Sequence, residues 1–112
     1  EVTLYTRRPE QFSDTLRCND IEQNITYFVQ PDLISNDAKL AITNADIVFI
    51  ALPHFAIEQA FADIAPYVLE NVKIGVLPGG GGCEFIFGKY FDLNNRKLLL
   101  YNLACTNMWV KN

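Results

Sequence analysis

The chain has 112 residues, half of them apolar and 20% charged, with a net charge of −4. A disordered segment needs less apolar material and more charge, and a phosphate-binding basic surface needs clustered Lys and Arg, so both classes are excluded. The longest apolar run, Ile47 to Leu52, is strand-sized and far below the roughly 18–20 residues of a membrane-spanning helix. Such a chain is the size of one soluble domain with material for a core. Its three cysteines, Cys18, Cys83 and Cys105, are widely spaced and form no C-x-x-C pair. They predict reduced thiols in a cytoplasmic protein. No metal site is expected, because one histidine and three scattered cysteines lack ligand spacing. The chain opens at Glu1 without a charged region leading into an apolar stretch, so no signal peptide is read.

Strand and helix signals alternate along the chain. Val2 to Thr6, rich in β-branched and aromatic residues, reads as a strand. Pro9 and Glu10 then suit a helix start, with Phe12 and Leu16 placed on one face. Ile25 to Val29 is a second strand, closed by Pro31-Asp32, and Leu33 to Asn44 is weakly helical. Ile47 to Leu52 is apolar without alternation, the pattern of a parallel strand covered on both faces. After Pro53 a helix is predicted from about Phe55 to Ala65, where Ile57, Phe61 and Ile64 share a face and Pro66 is the stop. Val72 to Leu77 reads as another buried strand, followed by Pro78 and the run Gly79 to Gly82. A short helix is predicted over Cys83 to Phe91 and a last strand over Lys97 to Leu103.

This alternation implies an α/β layer fold with a mainly parallel sheet, in which ligands bind beyond the carboxyl ends of the strands. The residues that follow the strands therefore carry the functional expectations. Arg7 and Arg8 stand where dinucleotide-binding folds usually carry a ribose-binding acid, and two guanidinium groups suit a 2′-phosphate. They read equally as two solvated arginines at a helix start. The glycine run allows close backbone approach to a ligand, or is simply a flexible loop. It is not a dinucleotide fingerprint, since no G-x-G-x-x-G occurs, and no Lys-Ser or Lys-Thr makes it a P-loop. His54 follows the strongest strand and Cys83 follows the glycines. If those strands are neighbours, a Cys–His pair at the sheet's edge is geometrically possible.

The order of motifs resembles a known family. Thr6-Arg7-Arg8-Pro9-Glu10, then Asn44 through Pro53, is similar to the latter part of a Rossmann domain of the 6-phosphogluconate dehydrogenase-like superfamily, which includes glycerol-3-phosphate dehydrogenases and ketopantoate reductases. Pro53 to Glu58, Ile64 to Val68, Leu77-Pro78 and Glu84-Phe85 resemble the octopine/opine dehydrogenases more closely. The resemblance implies a Rossmann-type, mainly parallel sheet with helices on both faces, lacking the first strand and its glycine-rich loop. Residues 1–112 would be a partial NAD(P)-binding domain, with the C-terminal helical substrate domain absent. Opine dehydrogenases reductively condense an amino acid with a 2-keto acid at the expense of NADH or NADPH. On this resemblance Ala51, Leu52 and Pro53 would line the nicotinamide side of the cleft, with Pro78, Gly79 and Gly80 close by. Thr6, Arg7 and Arg8 would face the adenosine ribose, with NADP slightly favoured over NAD. His54 is not carried over as catalytic, because the family's proton-transfer histidine lies in the second domain. Small-molecule substrates are the expected partners, with neither nucleic acid nor membrane, and a homodimer is the assembly entertained. Another dehydrogenase of the superfamily (glycerol-3-phosphate dehydrogenase-like or ketopantoate reductase-like), a Cys83/His54 thiol enzyme and a non-catalytic Rossmann-like binding module are the competing readings.

Overall fold

A computed structural model describes residues 1–77 and 79–92, and the backbone of 99–102. The chain divides into two compact units, Glu1–Ala41 and Ile42–Asn112.

In the first unit, β1 (Thr3–Tyr5) pairs in parallel with β4 (Leu33–Ser35). The pairing is extended by Thr6 N donating to Ser35 O at 2.9 Å and Asp32 N donating to Val2 O at 2.8 Å. The segment after Pro9 is not the helix that its proline and acid suggest. Pro9–Gln11 makes a single 3-10 turn, and Leu16 opens a strand, β2 (Leu16–Asp20). That strand forms an antiparallel hairpin with β3 (Ile25–Val29), with Leu16 opposite Val29 and Cys18 opposite Tyr27. The intervening turn explains the outcome. Asp20 Oδ1 accepts from the backbone N of Glu22 and of Gln23, both at 3.0 Å, and Asn24 takes a left-handed φ of 54°. Such an Asx-type turn reverses the chain and gives Leu16 to Asp20 a strand to pair with. Likewise, Leu33 begins a strand and not a helix. The helix, α1 (Ala38–Ile42), starts only after Asp37, whose Oδ1 accepts from Lys39 N at 2.8 Å and Leu40 N at 3.3 Å. Two of the otherwise orphaned donors of the first turn are thereby satisfied.

In the second unit, β5 (Ile47–Ala51), β6 (Lys73–Leu77) and β7 (Leu99–Asn102) form a parallel sheet in that order. The crossover from β5 to β6 runs through α2 (His54–Ile64) and a 3-10 turn at Ala65–Tyr67 that contains Pro66. α3 (Cys83–Tyr90) follows β6. The predicted face of α2 is the buried one: Ile57, Phe61 and Ile64 join Val48, Ile50, Ile74 and Val76 in the core. Each such side chain contributes roughly 1.5–3 kcal/mol on leaving water. Aromatic rings tie the two helices together. Phe61 meets Phe87 and Phe91 edge-on, with centroids 5.5 and 5.7 Å apart, and those two rings stack at 4.4 Å.

One expectation about β5 is corrected. Its side chains alternate, with Val48 and Ile50 buried while Ile47 is 52% and Phe49 64% exposed. An uninterrupted apolar run does not distinguish a strand covered on both faces from one covered on a single face. The face bearing Val48 and Ile50 is the covered one here.

Candidate functional site

The carboxyl ends of β5 and β6 are brought together by their register, which sets Ala51 opposite Leu77. Beyond β5 the chain turns through Leu52 and Pro53 directly into α2. Pro53 supplies the extended residue before the helix, with φ −57° and ψ 149°, and its carbonyl accepts from Ala56 N at 2.9 Å. Ala51, Leu52 and Pro53 are all exposed, so the end of β5 and the turn after it offer a short apolar surface.

Beyond β6, the glycines lead into α3. Gly82 holds φ at +95° immediately before the helix and its carbonyl accepts from Phe85 N at 3.1 Å. A side chain is strained in that left-handed conformation, which accounts for glycine at this position. Gly80 lies against His54: a Cβ added there would stand 3.5 Å from His54 Nδ1. Cys83, fully buried in the first turn of α3, places Sγ 4.0 Å from the same nitrogen. The neighbouring strands thus deliver the Cys–His pair that sequence position alone left conditional.

Of the other expected residues, Thr6, Arg7 and Arg8 follow β1 in the first unit. Arg7 and Arg8 are exposed, and neither forms an ion pair among the described residues. Arg8 N donates to Thr6 Oγ1 at 3.4 Å, a local bond that shapes the turn leaving β1. Pro78 lies outside the described residues. Gly79 and Gly80 are half-buried.

A second polar cluster joins α2 to α3. Glu58 Oε1 accepts from Lys89 Nζ at 3.1 Å and from Tyr90 OH at 3.2 Å. These hydrogen bonds and the Lys89 charge lower the Glu58 pKa, while burial first and Glu58 second raise that of Tyr90. Sequence reading missed this cluster, although Glu58 and Lys89 were visible as isolated charges; their meeting depends on helix packing. Among the described residues no three or more His, Cys, Asp or Glu side chains are grouped to hold a metal ion, and no helix is long and apolar enough to cross a membrane.

Comparison with known proteins places this arrangement. No protein-family model matches the chain. The octopine dehydrogenase of Mizuhopecten yessoensis is 43% identical over 56 residues, which is 50% of this chain and 14% of that protein. The opine dehydrogenase of Haliotis discus hannai is 24% identical over 95 residues, 75% of this chain and 24% of that protein. An octopine dehydrogenase solved with NADH and L-arginine superposes with a TM-score of 0.69 at 28% identity, covering 88% of this chain and 27% of its own. Another, solved with NADH and pyruvate, gives a TM-score of 0.70 at 27% identity over the same shares. The chain therefore spans about a quarter of the length of the solved enzymes that it matches. With parallel strands, crossover helices and sequence all agreeing, the chain is similar to the octopine and opine dehydrogenases and shares their Rossmann-type α/β fold.

Proposed function

We propose that this chain is part of the nicotinamide-cofactor-binding region of an opine-type dehydrogenase, which condenses an amino acid with a 2-keto acid reductively. The observation that carries the reading is the carboxyl end of β5, where Ala51, Leu52 and Pro53 are exposed and Ala51 stands opposite Leu77, the last residue of the neighbouring strand before the glycine run. Ligands of parallel α/β sheets bind at such ends. Support comes from the octopine dehydrogenases that the chain resembles, solved with NADH together with L-arginine, agmatine or pyruvate.

The residues fit a dinucleotide. Small and apolar side chains at 51–53 suit a flat nicotinamide ring, and at Gly81 and Gly82 an added Cβ would meet nothing within 4 Å, leaving space for close approach. When bound, the cofactor supplies the hydride for reduction. In this proposal, Ala51, Leu52 and Pro53 orient the ring and exclude water from one side of it, while Gly79 and Gly80 let the backbone come near. Thr6, Arg7 and Arg8 bind the adenosine ribose end. The exposed guanidinium groups favour NADP, since each can pair with a phosphate through two N–H donors.

The test is fluorescence titration of the full-length protein with NADH and NADPH. Binding of either is expected, and an unchanged signal with both at saturating protein defeats the reading. Replacing Arg7 and Arg8 together with alanine is expected to weaken NADPH by about tenfold or more relative to NADH, as charge-assisted hydrogen bonds worth roughly 1.5–3 kcal/mol each are lost. Equal weakening of both cofactors removes the phosphate-binding role. The proposal extends to a cytoplasmic enzyme, and sedimentation of the full-length protein distinguishes a homodimer from a monomer.

A further inference from the structure

Cys83 and His54 lie 29 positions apart in sequence, yet their side chains meet at 4.0 Å between Sγ and Nδ1. Each opens a helix that follows one of two adjacent parallel strands, His54 on α2 and Cys83 on α3. Cys83 is 0% exposed, whereas His54 is exposed. The imidazole therefore bridges a buried sulfur and solvent. Gly80 lies against the same nitrogen, and at Gly81 and Gly82 an added side chain would meet nothing within 4 Å.

We propose that Cys83 and His54 act as a thiol–imidazole pair that exchanges with small disulfides, making Cys83 a site of mixed-disulfide modification. With the ring proton on Nε2, the Nδ1 lone pair faces the thiol. Attack forms a bond from Cys83 Sγ to one sulfur of the incoming disulfide and breaks that disulfide's S–S bond. The Cys83 proton passes to His54 Nδ1, and the departing thiolate takes a proton from the imidazolium. The products are one mixed disulfide on Cys83 and one free thiol, with no further oxidant required. Cys18 provides the contrast within the same chain: it is exposed, on β2, and set opposite Tyr27.

The test is the rate at which hydroxyethyl disulfide, a small neutral probe, modifies each cysteine of the full-length folded protein, read by peptide mass spectrometry. Cys83 is expected to be modified without denaturant despite its burial. His54→Gln is expected to slow Cys83 by about tenfold or more, within the range of lost acid–base assistance, with the Cys18 rate unchanged. In His54→Ala, added imidazole is expected to restore part of the Cys83 rate, a recovery that a merely structural histidine would not allow. Modification of Cys83 only in denaturant overturns the proposal. So does a Cys83 rate that is equal or higher in His54→Gln, or an absence of imidazole rescue in His54→Ala.

Discussion

Phe61→Ala is the perturbation that most directly questions the way α2 and α3 are held. Phe61 is fully buried, and its ring meets Phe87 and Phe91 edge-on at 5.5 and 5.7 Å, within the range where aromatic pairs attract. Truncating a buried phenylalanine to alanine costs about 3–5 kcal/mol, the spread reflecting how far the site collapses. Collapse is restricted here, because Phe87 and Phe91 already stack on each other at 4.4 Å and have a partner to keep. The loss is therefore expected in the upper half of that range, about 4–5 kcal/mol. With a urea m-value of roughly 1–3 kcal/mol/M, the midpoint should fall by more than about 1 M with m unchanged. Gln59→Ala on the same helix is the reference. Gln59 is exposed and bonded only locally, through Nε2 to Asp63 Oδ1 at 2.8 Å, so its replacement should stay within about 0.5 kcal/mol. Urea unfolding of the full-length protein, followed by circular dichroism, measures both. Equal midpoints for the two variants would refute the central role given to the ring cluster.

Two further predictions test particular local features. Gly82→Ala should destabilise by about 1–2 kcal/mol, the cost of a left-handed backbone for a residue with Cβ. At Gly82 an added Cβ meets nothing within 4 Å, so no steric clash contributes. Gly81→Ala, equally open but without a positive φ, should be near neutral by the same unfolding measurement. The Glu58 carboxyl, lowered by its hydrogen bonds to Lys89 and Tyr90, should titrate by NMR closer to the ordinary glutamate value in Lys89→Met. Because its folded pKa is depressed, the cluster's stabilisation is present above the unfolded pKa and is lost as pH falls through the folded one. Acid sensitivity arising from this cluster should accordingly shrink in the variant.

The elements of the second unit were legible because several local signals coincide there. Pro53 and Pro66 bracket α2, the Ile57–Phe61–Ile64 spacing marks its buried face, and apolar β5 and β6 flank it. The resemblance to opine dehydrogenases rests on those same residues. The first unit was less legible, since Leu16 to Asp20 carries no strand periodicity of its own and Pro9-Glu10 mimics a helix start. Its strand character comes from Val29, Phe28 and Tyr27 on the opposite side of a turn, and non-local pairing of that kind outweighs local propensity.

Sequence by itself determined the fold class, the parallel character of β5 and β6, and the residues that stand at their carboxyl ends. Tertiary structure decided the rest: the β2–β3 hairpin, the single covered face of β5, the Glu58–Lys89–Tyr90 cluster and the meeting of Cys83 with His54. The reason lies in range. Helix and strand identity follow from spacings of a few residues, whereas the Cys83–His54 contact spans 29 positions and exists only because β5 and β6 are hydrogen-bonded neighbours whose following helices start at the same edge.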